Sequence, residues 1–347
     1  MKRQLQEAVL PAIVALLIAA IVGDVLILAF GQSPGTVYRL LLEGTWGNAY
    51  GFGQVLYKTT TLTFTGLAVA LGLRAGLFNV GAESQLAAGG FVAALVGLML
   101  PAGLPAIVTL PVYLLAAAIG GGVVGAVPGA LRARFGAHEV ITTIMLNYIV
   151  LALLNYLVAA HLKVEGTLHT QDIQAGALAR LSDFVPAFHG SAANVVLFLA
   201  LAVAAALWWF LFRTKQGYEI RATGLQPEAA EYGGVKVGAV WWKVMALSGA
   251  IAGVGGLNFV LGYKHYYEDA FASGAGFVGI AVAIVGRNHP VGVVLAALLF
   301  ATMSQGGLAV NAVVPKQIVD VLQAVVIIAV AASVPEVRRV LRRGGNR

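Results

Sequence analysis

Long apolar runs separated by short polar segments extend along the whole chain. An α-helix rises 1.5 Å per residue, so about 20 apolar residues are needed to cross the hydrocarbon core of a bilayer. Ten runs predict membrane-spanning helices: 9–30, 56–74, 80–100, 104–131, 138–160, 194–212, 241–262, 274–287, 289–307 and 316–334. The run 274–287 is short and rich in glycine, which indicates a helix that crosses only part of the bilayer.

The distribution of basic residues predicts how these spans are oriented, because Lys and Arg concentrate in cytoplasmic segments. With ten spans, a cytoplasmic N-terminus also places the C-terminus in the cytoplasm. Of the 22 basic residues, this orientation leaves only six outside: Arg39, Lys58, Lys163, Arg180, Lys264 and Lys316. It predicts an extracytoplasmic loop or small cap over 161–193 and a long cytoplasmic loop over 213–240.

An internal similarity indicates a repeat. Residues 66–71 and 279–284 both spell Gly-x-Ala-Val-Ala-x, and each is followed three residues later by an arginine, Arg74 or Arg287. Both segments are predicted to run from outside to inside, which indicates a parallel repeat of about four helices. Chance recurrence of Gly-Ala-Val runs is the alternative. We expect an all-α, polytopic helix bundle with broken helices, formed as one transmembrane domain over 1–347.

Composition supports a membrane location and excludes several classes of protein. The chain is 59% apolar and 11% charged, whereas soluble domains carry about 25% charged residues. The net charge of +7 comes from Lys and Arg that lie singly between apolar runs, a pattern typical of membrane topology rather than of nucleic-acid binding. The absence of cysteine excludes disulfides, thiolate metal sites and cysteine nucleophiles.

Known catalytic and nucleotide-binding motifs are missing from the sequence. It contains neither a G-x-x-x-x-G-K-[ST] loop nor an H-E-x-x-H pair, so we expect no ATP site and no metal site in this chain. Gly274, Gly276 and Gly279 form G-x-G-x-x-G without a preceding strand, which favours close helix packing over a dinucleotide site. The first run, 9–30, is too long for the core of a signal peptide and predicts a retained span.

The cytoplasmic loop contains start and stop signals for one short helix. Pro227 suits a first helical turn, Glu228 suits the positive end of the helix dipole, and Gly233-Gly234 ends the helix. A two-turn helix exposed in this loop is either a solvated connector or a docking site for a cytoplasmic partner.

Five segments resemble the permeases of ABC importers. Glu228-Ala229-Ala230 followed by Gly233 resembles their EAA loop. Four others resemble the branch that contains branched-chain amino-acid, ribose-type sugar and nucleoside permeases: 76–83, 139–148, 247–253 and 276–283. Together they are most similar to nucleoside permeases that work with Bmp-type binding lipoproteins, although His138 departs from the Asn usual there.

This resemblance implies a permease subunit of the bacterial cytoplasmic membrane that works by alternating access and catalyses no bond change. It implies a second, related permease as partner in a heterodimer, a cytoplasmic ABC ATPase that binds the ATP and Mg, and an extracytoplasmic binding lipoprotein, with membrane lipid around the chain. The ATPase-coupling role falls on seven residues: Arg221, Gly224, Pro227, Glu228, Ala229, Ala230 and Gly233.

Polar side chains in two spans are candidates for the substrate pathway. They are Asn79, Glu83, Gln85, Glu139, Thr142, Thr143 and Asn147. Glu139, Thr143 and Asn147 recur every four residues and predict one polar stripe. Such groups mark pathways or join helices; Asn and Thr can bind ribose hydroxyls or base edges, which favours the pathway. Glu83 is alternatively a partner for a helix dipole.

Other functions stay open at this point. Branched-chain amino acids or simple sugars are alternative substrates within the importer class. An ion-coupled secondary transporter would need paired intramembrane carboxylates, and the candidates lie mostly near span ends: Asp24, Glu83, Glu139 and Asp320. A membrane enzyme would need a nucleophile or metal cluster that the sequence does not assemble.

Overall fold

The computed structural model describes residues 17–315 and 317–330. Its helices are α1 Leu17–Ala29, α2 Pro34–Thr45, α3 Ala49–Arg74, α4 Ala82–Met99, α5 Ala106–Phe135, α6 Glu139–Leu157, α7 Val196–Arg213, α8 Lys215–Leu225, α9 Pro227–Tyr232, α10 Val237–Gly255, α11 Leu257–Phe259, α12 Ala275–Val285, α13 Pro290–Val310 and α14 Gln317–Val330. Within these ranges, β pairing is limited to three isolated bridges. The all-α prediction is therefore confirmed.

Six helices are long and apolar enough to cross a membrane: α4, α5, α6 with its extension to Leu162, α7, α10 with its extension to Lys264, and α13. A bend of 111° separates α1 from α2, which pass this test only as a pair. Helix α3 has 26 residues but is not among the six, and α12 and α14 are shorter apolar helices. The predicted number of ten spans is therefore not confirmed.

Parts of the predicted topology lie outside the described residues. They are the beginning of the first predicted span, Lys316, the end of the last span, and the terminal basic residues Lys2, Arg3, Arg338, Arg339, Arg342, Arg343 and Arg347. The positions of the two chain termini therefore stay predictions.

The chain divides into two compact units, Met1–Val55 with Leu298–Arg347, and Leu56–Ala297. The described part of the first unit has an apolar core: Ile27, Val37, Val310, Val314, Ile318 and Val319. There the Tyr38 hydroxyl donates to Asp24 Oδ1 at 2.9 Å. The prediction of one transmembrane domain over the whole chain is not tested by this division.

In the second unit, glycines bring α5 and α10 into backbone contact. A Cβ added to Gly121 would overlap the carbonyl oxygen of Gly249, and one added to Gly125 would overlap that of Met245. Helices in lipid associate through van der Waals packing, so small residues allow this approach. The packing predicted for the G-x-G-x-x-G motif holds for Gly276 and Gly279 but not for Gly274, which has no atom within 4 Å of an added Cβ.

The two similar segments of the chain lie side by side. Thr65 on α3 donates to the carbonyl oxygen of Ala275 at 3.1 Å, and Arg74 Nε donates to that of Asn288 at 2.8 Å. Because both contacts follow the chain in the same direction, α3 and α12 are parallel, as the repeat requires. The repeat of four helices itself stays a prediction.

The segment 161–193 is a small cap on the second unit. Its backbone pairs with the chain that follows α11: Thr170 N–H donates to Tyr267 O at 2.9 Å, and Ile173 N–H donates to His265 O at 2.7 Å. Two short 3₁₀ turns, Leu181–Asp183 and Pro186–Phe188, complete it. The membrane side on which the cap lies stays a prediction.

We expect Gly121→Ala to lower the thermal stability of the detergent-solubilised protein, because the new methyl group meets the Gly249 carbonyl and overpacking costs about 1–3 kcal/mol. Gly122→Ala is the matched control, since its Cβ has Ala246 O as nearest neighbour at 3.4 Å. Differential scanning fluorimetry measures both variants. Equal melting temperatures would contradict close α5–α10 packing.

Candidate functional site

The site is built around a break in the helical backbone. Helix α3 ends at Arg74, α4 begins at Ala82, and most of the non-helical segment 75–81 between them is buried. Non-helical backbone at membrane depth is stable only where the protein satisfies its polar groups. Asn79 does this with Gln85: each side chain donates to the other, at 2.8 and 3.0 Å, and Asn79 also accepts the Gly81 N–H at 3.0 Å.

Two neighbouring helices supply the remaining partners. From α6, Asn147 donates to the Val80 carbonyl oxygen at 2.9 Å and accepts the Ser84 N–H at 3.1 Å. From α10, Ser248 accepts from Asn79 at 2.8 Å and donates to the Ala68 carbonyl oxygen at 2.6 Å. The network therefore joins α3, α4, α6 and α10 at one level.

The predicted polar stripe lies on one buried face of α6, where Glu139, Thr143 and Asn147 are all buried. Glu139 pairs with Arg132 at 3.7 Å. The hydroxyl groups of Thr143 and Thr142 donate to the Glu139 carbonyl oxygen in their own helix, at 2.7 and 3.1 Å. In this conformation the stripe joins helices, and its role in the substrate pathway stays a prediction.

Glu83 caps a helix other than its own. Its two carboxylate oxygens accept the N–H groups of Gly274 and Gly276, at 2.7 and 2.6 Å, where α12 begins. The N-terminus of a helix attracts negative charge, so this contact stabilises the start of α12. Helix α12 has 11 residues and is about 16 Å long, which agrees with the partial span predicted for 274–287.

A cavity of about 230 Å³ lies beside Glu83. Helices α4 and α6 and the loop before α12 line it with Glu83, Ala87, Leu151, Asn155, Asp269, Ala270, Phe271, Ala272 and Ser273. Asn155 donates to Asp269 Oδ2 at 2.6 Å. Ala270 and Ser273 have φ values of 58° and 45°, a left-handed conformation that costs energy in non-glycine residues and clusters at functional sites.

The sequence indicated Glu83 as a candidate for the substrate pathway, but it did not predict the Asn155–Asp269 pair. These two residues are 114 positions apart, and nothing local to Asp269 indicates that it meets α6. The polar residue Asn155 within an apolar span was the available signal.

The loop 213–240 contains two helices, so the prediction of a single helix was wrong. Helix α9 begins at Pro227 and is capped by Gly233, as predicted. Helix α8 precedes it, and the Thr214 hydroxyl oxygen caps α8 by accepting the Gly217 N–H at 3.0 Å. Threonine is a favoured N-cap residue, which was the signal for α8.

The seven predicted coupling residues divide into two groups. Arg221, Gly224 and Ala230 contact their own chain: the Arg221 guanidinium lies 5.2 Å from the centre of the Phe212 ring, and a Cβ on Gly224 would overlap the Arg74 carbonyl oxygen. The others are exposed, namely Pro227, Glu228, Ala229 and Gly233.

Two large side chains extend the exposed face of the loop. Leu225 is 88% exposed and Tyr232 is 98% exposed. Glu228 and Glu231 line an adjacent cavity of about 580 Å³ against α5 and α10. An acidic groove next to unpartnered apolar side chains is suited to binding another protein.

Replacing Asn147 by Leu should lower stability, because the Ser84 N–H and the Val80 carbonyl lose their buried partner, at about 1–3 kcal/mol for each unpaired group. Thr142→Val is the control on the same helix, since the Thr142 hydroxyl bonds only to its own helix. Thermal melting and uptake are measured together. Lost uptake with unchanged stability would instead assign Asn147 to the substrate pathway.

Comparisons with known proteins cover nearly the whole chain. The sequence model of a family described as "branched-chain amino acid transport system / permease component" matches residues 51–331. The chain is 36% identical over 342 residues to the guanosine ABC transporter permease protein of Bacillus subtilis, covering 96% of this chain and 95% of that protein.

Two further relatives are also named as ABC transporter permease proteins. The nucleoside ABC transporter permease protein of Lactococcus lactis is 33% identical over 330 residues, 93% of this chain and 90% of that protein. The glucose ABC transporter permease protein of Haloferax volcanii is 32% identical over 330 residues, 92% of this chain and 86% of that protein. The resemblance based on five motifs is confirmed, and the chain belongs to this family of ABC transporter permease components.

Proposed function

We propose that the chain is the permease subunit of an ATP-driven importer of nucleosides. A permease component is a transport subunit and not an enzyme. The observation that carries the substrate assignment is the identity with relatives named for guanosine and nucleoside transport over more than nine-tenths of the chain. Simple sugars are the second candidate, because a glucose permease is 32% identical.

The cavity beside Glu83 supports a neutral, hydroxyl-bearing substrate. Asp269 keeps acceptor capacity beyond its bond with Asn155, and ribose hydroxyls are donors that carboxylates bind. Phe271 adds an aromatic ring to the lining, on which a base can stack.

An amino acid fits this cavity less well. None of the described residues that line it is Lys, Arg or His, and Glu83 already occupies the N-terminus of α12, where a substrate carboxylate would bind. Of the predicted pathway residues we assign substrate contact to Glu83. We assign to Asn79, Gln85, Glu139, Thr142, Thr143 and Asn147 the support of the surrounding backbone.

We expect cells that express the complete transporter to take up radiolabelled guanosine and not leucine. Asp269→Asn should weaken uptake by about ten- to a hundredfold, the range that corresponds to losing one hydrogen bond to a charged group. Asp172→Asn, which changes an exposed cap residue, is the control with the same chemistry. Uptake of glucose without guanosine would contradict the nucleoside assignment.

Partners follow from the ABC transporter family, namely an ATPase and a substrate-binding protein. We propose that the ATPase binds the ATP and Mg and that the binding protein is a lipoprotein outside the cell. A second permease completes the pore in our proposal, since two guanosine permeases of Bacillus subtilis match this chain at 36% and 27% identity. Two nucleoside permeases of Lactococcus lactis match at 33% and 27%.

We place both termini and the loop 213–240 in the cytoplasm, and the cap 161–193 outside. The basic-residue distribution supports this orientation. The exposed face of α9 then meets the ATPase. A helix of six residues is too short to be stable alone in water. Contacts on both of its sides would stabilise it, from its own chain at Ala230 and from a partner at Ala229.

An Ala229→Cys variant tests orientation and docking together, because the chain has no native cysteine. The new thiol should react with a membrane-impermeant reagent in inside-out vesicles and not in intact cells, and bound ATPase should reduce that reaction. Gln171→Cys in the cap is the control and should react in intact cells. Reaction of Ala229→Cys in intact cells would overturn the orientation, and equal labelling with and without ATPase would overturn the docking.

A further inference from the structure

A third cavity lies on the side of α8 that faces α10. It has a volume of about 390 Å³. Its lining includes Phe210 of α7, three residues of α8 (Gln216, Glu219 and Ile220), and four of α10 and its cap (Lys236, Lys243, Val244 and Leu247). Nothing in the proposed transport or docking functions uses these residues. We call this cavity the α8–α10 groove.

Charge and apolar surface are separated along the groove. Lys236 and Lys243 are seven positions apart on α10 and its cap, which places them on the same face of the helix. The apolar residues Val244 and Leu247 continue the lining beyond Lys243. In the proposed orientation the lysines lie toward the cytoplasm and the apolar end lies toward the middle of the bilayer.

The two lysines have no acidic partner in the described part of the chain. The ion pairs Arg39–Glu43, Arg132–Glu139 and Lys215–Glu219 all involve other basic residues. The last pair, at 3.8 Å, already engages Glu219, the acidic residue of the groove. The groove therefore presents two unpaired ammonium groups above an apolar floor, which complements an anion that carries a hydrocarbon tail.

Tryptophans mark the depth of the groove in the membrane. Trp208 and Trp209 lie near the end of α7, and Trp241 and Trp242 lie in the first turns of α10. All but Trp241 are well exposed, and exposed tryptophans concentrate at the level of the lipid headgroups. Phe210, Lys236 and Lys243 are within a few residues of these rings, so the groove opens at headgroup level.

We propose that the α8–α10 groove binds an anionic phospholipid of the cytoplasmic leaflet. The lysines bind the phosphate, as basic pockets between membrane helices do, and one acyl chain lies along Val244 and Leu247. Because Gln216, Glu219 and Ile220 belong to α8, the lipid contacts the helix that leads directly into α9. This inference rests on the proposed orientation but not on the substrate.

The test measures lipid retention by native mass spectrometry after purification from nanodiscs of equal parts phosphatidylglycerol and phosphatidylcholine. The parent should retain phosphatidylglycerol preferentially, and Lys236→Gln with Lys243→Gln should reduce that preference by about fivefold for each lysine. The control is the double variant Lys163→Gln with Lys264→Gln, which removes the same charge at positions predicted to lie outside. It should keep the preference for phosphatidylglycerol. Leu247→Trp should also lower retention by filling the apolar end without changing charge.

Three outcomes would overturn the proposal. An equal loss in the control double variant would mean nonspecific attraction to positive charge, and release by inorganic phosphate would mean an anion site without lipid. Unchanged lipid retention combined with lost co-purification of the ATPase would assign the groove to that protein. Lipid retention is measured without substrate. A negative result for lipid binding would therefore not contradict the guanosine assignment, and a negative uptake result would not contradict lipid binding.

Discussion

Backbone groups that leave a helix inside a membrane must find partners within the protein, and the segment 75–81 depends on this constraint. Asn79 and Gln85 bond to each other, and Asn147 bonds to the backbone on both sides of Gly81. These bonds fix where α4 begins. The position of Glu83, of the capped α12 and of the cavity beside them follows from that starting point.

The same break connects the cavity region to the loop 213–240. A Cβ on Gly224 of α8 would overlap the Arg74 carbonyl oxygen, and one on Gly76 would lie 3.4 Å from Gly224 Cα. Helix α8 therefore touches the first residues of the segment 75–81, which contains Asn79. These backbone contacts join α8 to the segment that carries Asn79, without any long side chain between them.

Much of this arrangement could be predicted from the sequence, and the exceptions share a cause. Apolar runs located the main spans, and Pro227 with Gly233 located α9, because these signals are local. The partner of Glu83 could not be predicted, since the N–H groups of Gly274 and Gly276 lie 191 and 193 positions away. Helix α8 was missed because its polar composition gives no apolar run. The number of spans stays a prediction, since α3, α12 and α14 are not among the helices that are long and apolar enough to cross a membrane.

Different bonds hold the two walls of the cavity beside Glu83. The loop wall is fastened to α4 by two charge-assisted bonds from backbone N–H groups to one carboxylate. Farther along α6 than Asn147, Asn155 bonds to Asp269 of the loop, and this is one side-chain bond. These two asparagines are eight residues apart, or about 12 Å along the helix. Separating this part of α6 from the loop would break the Asn155–Asp269 bond and leave the bonds of Asn147 in place.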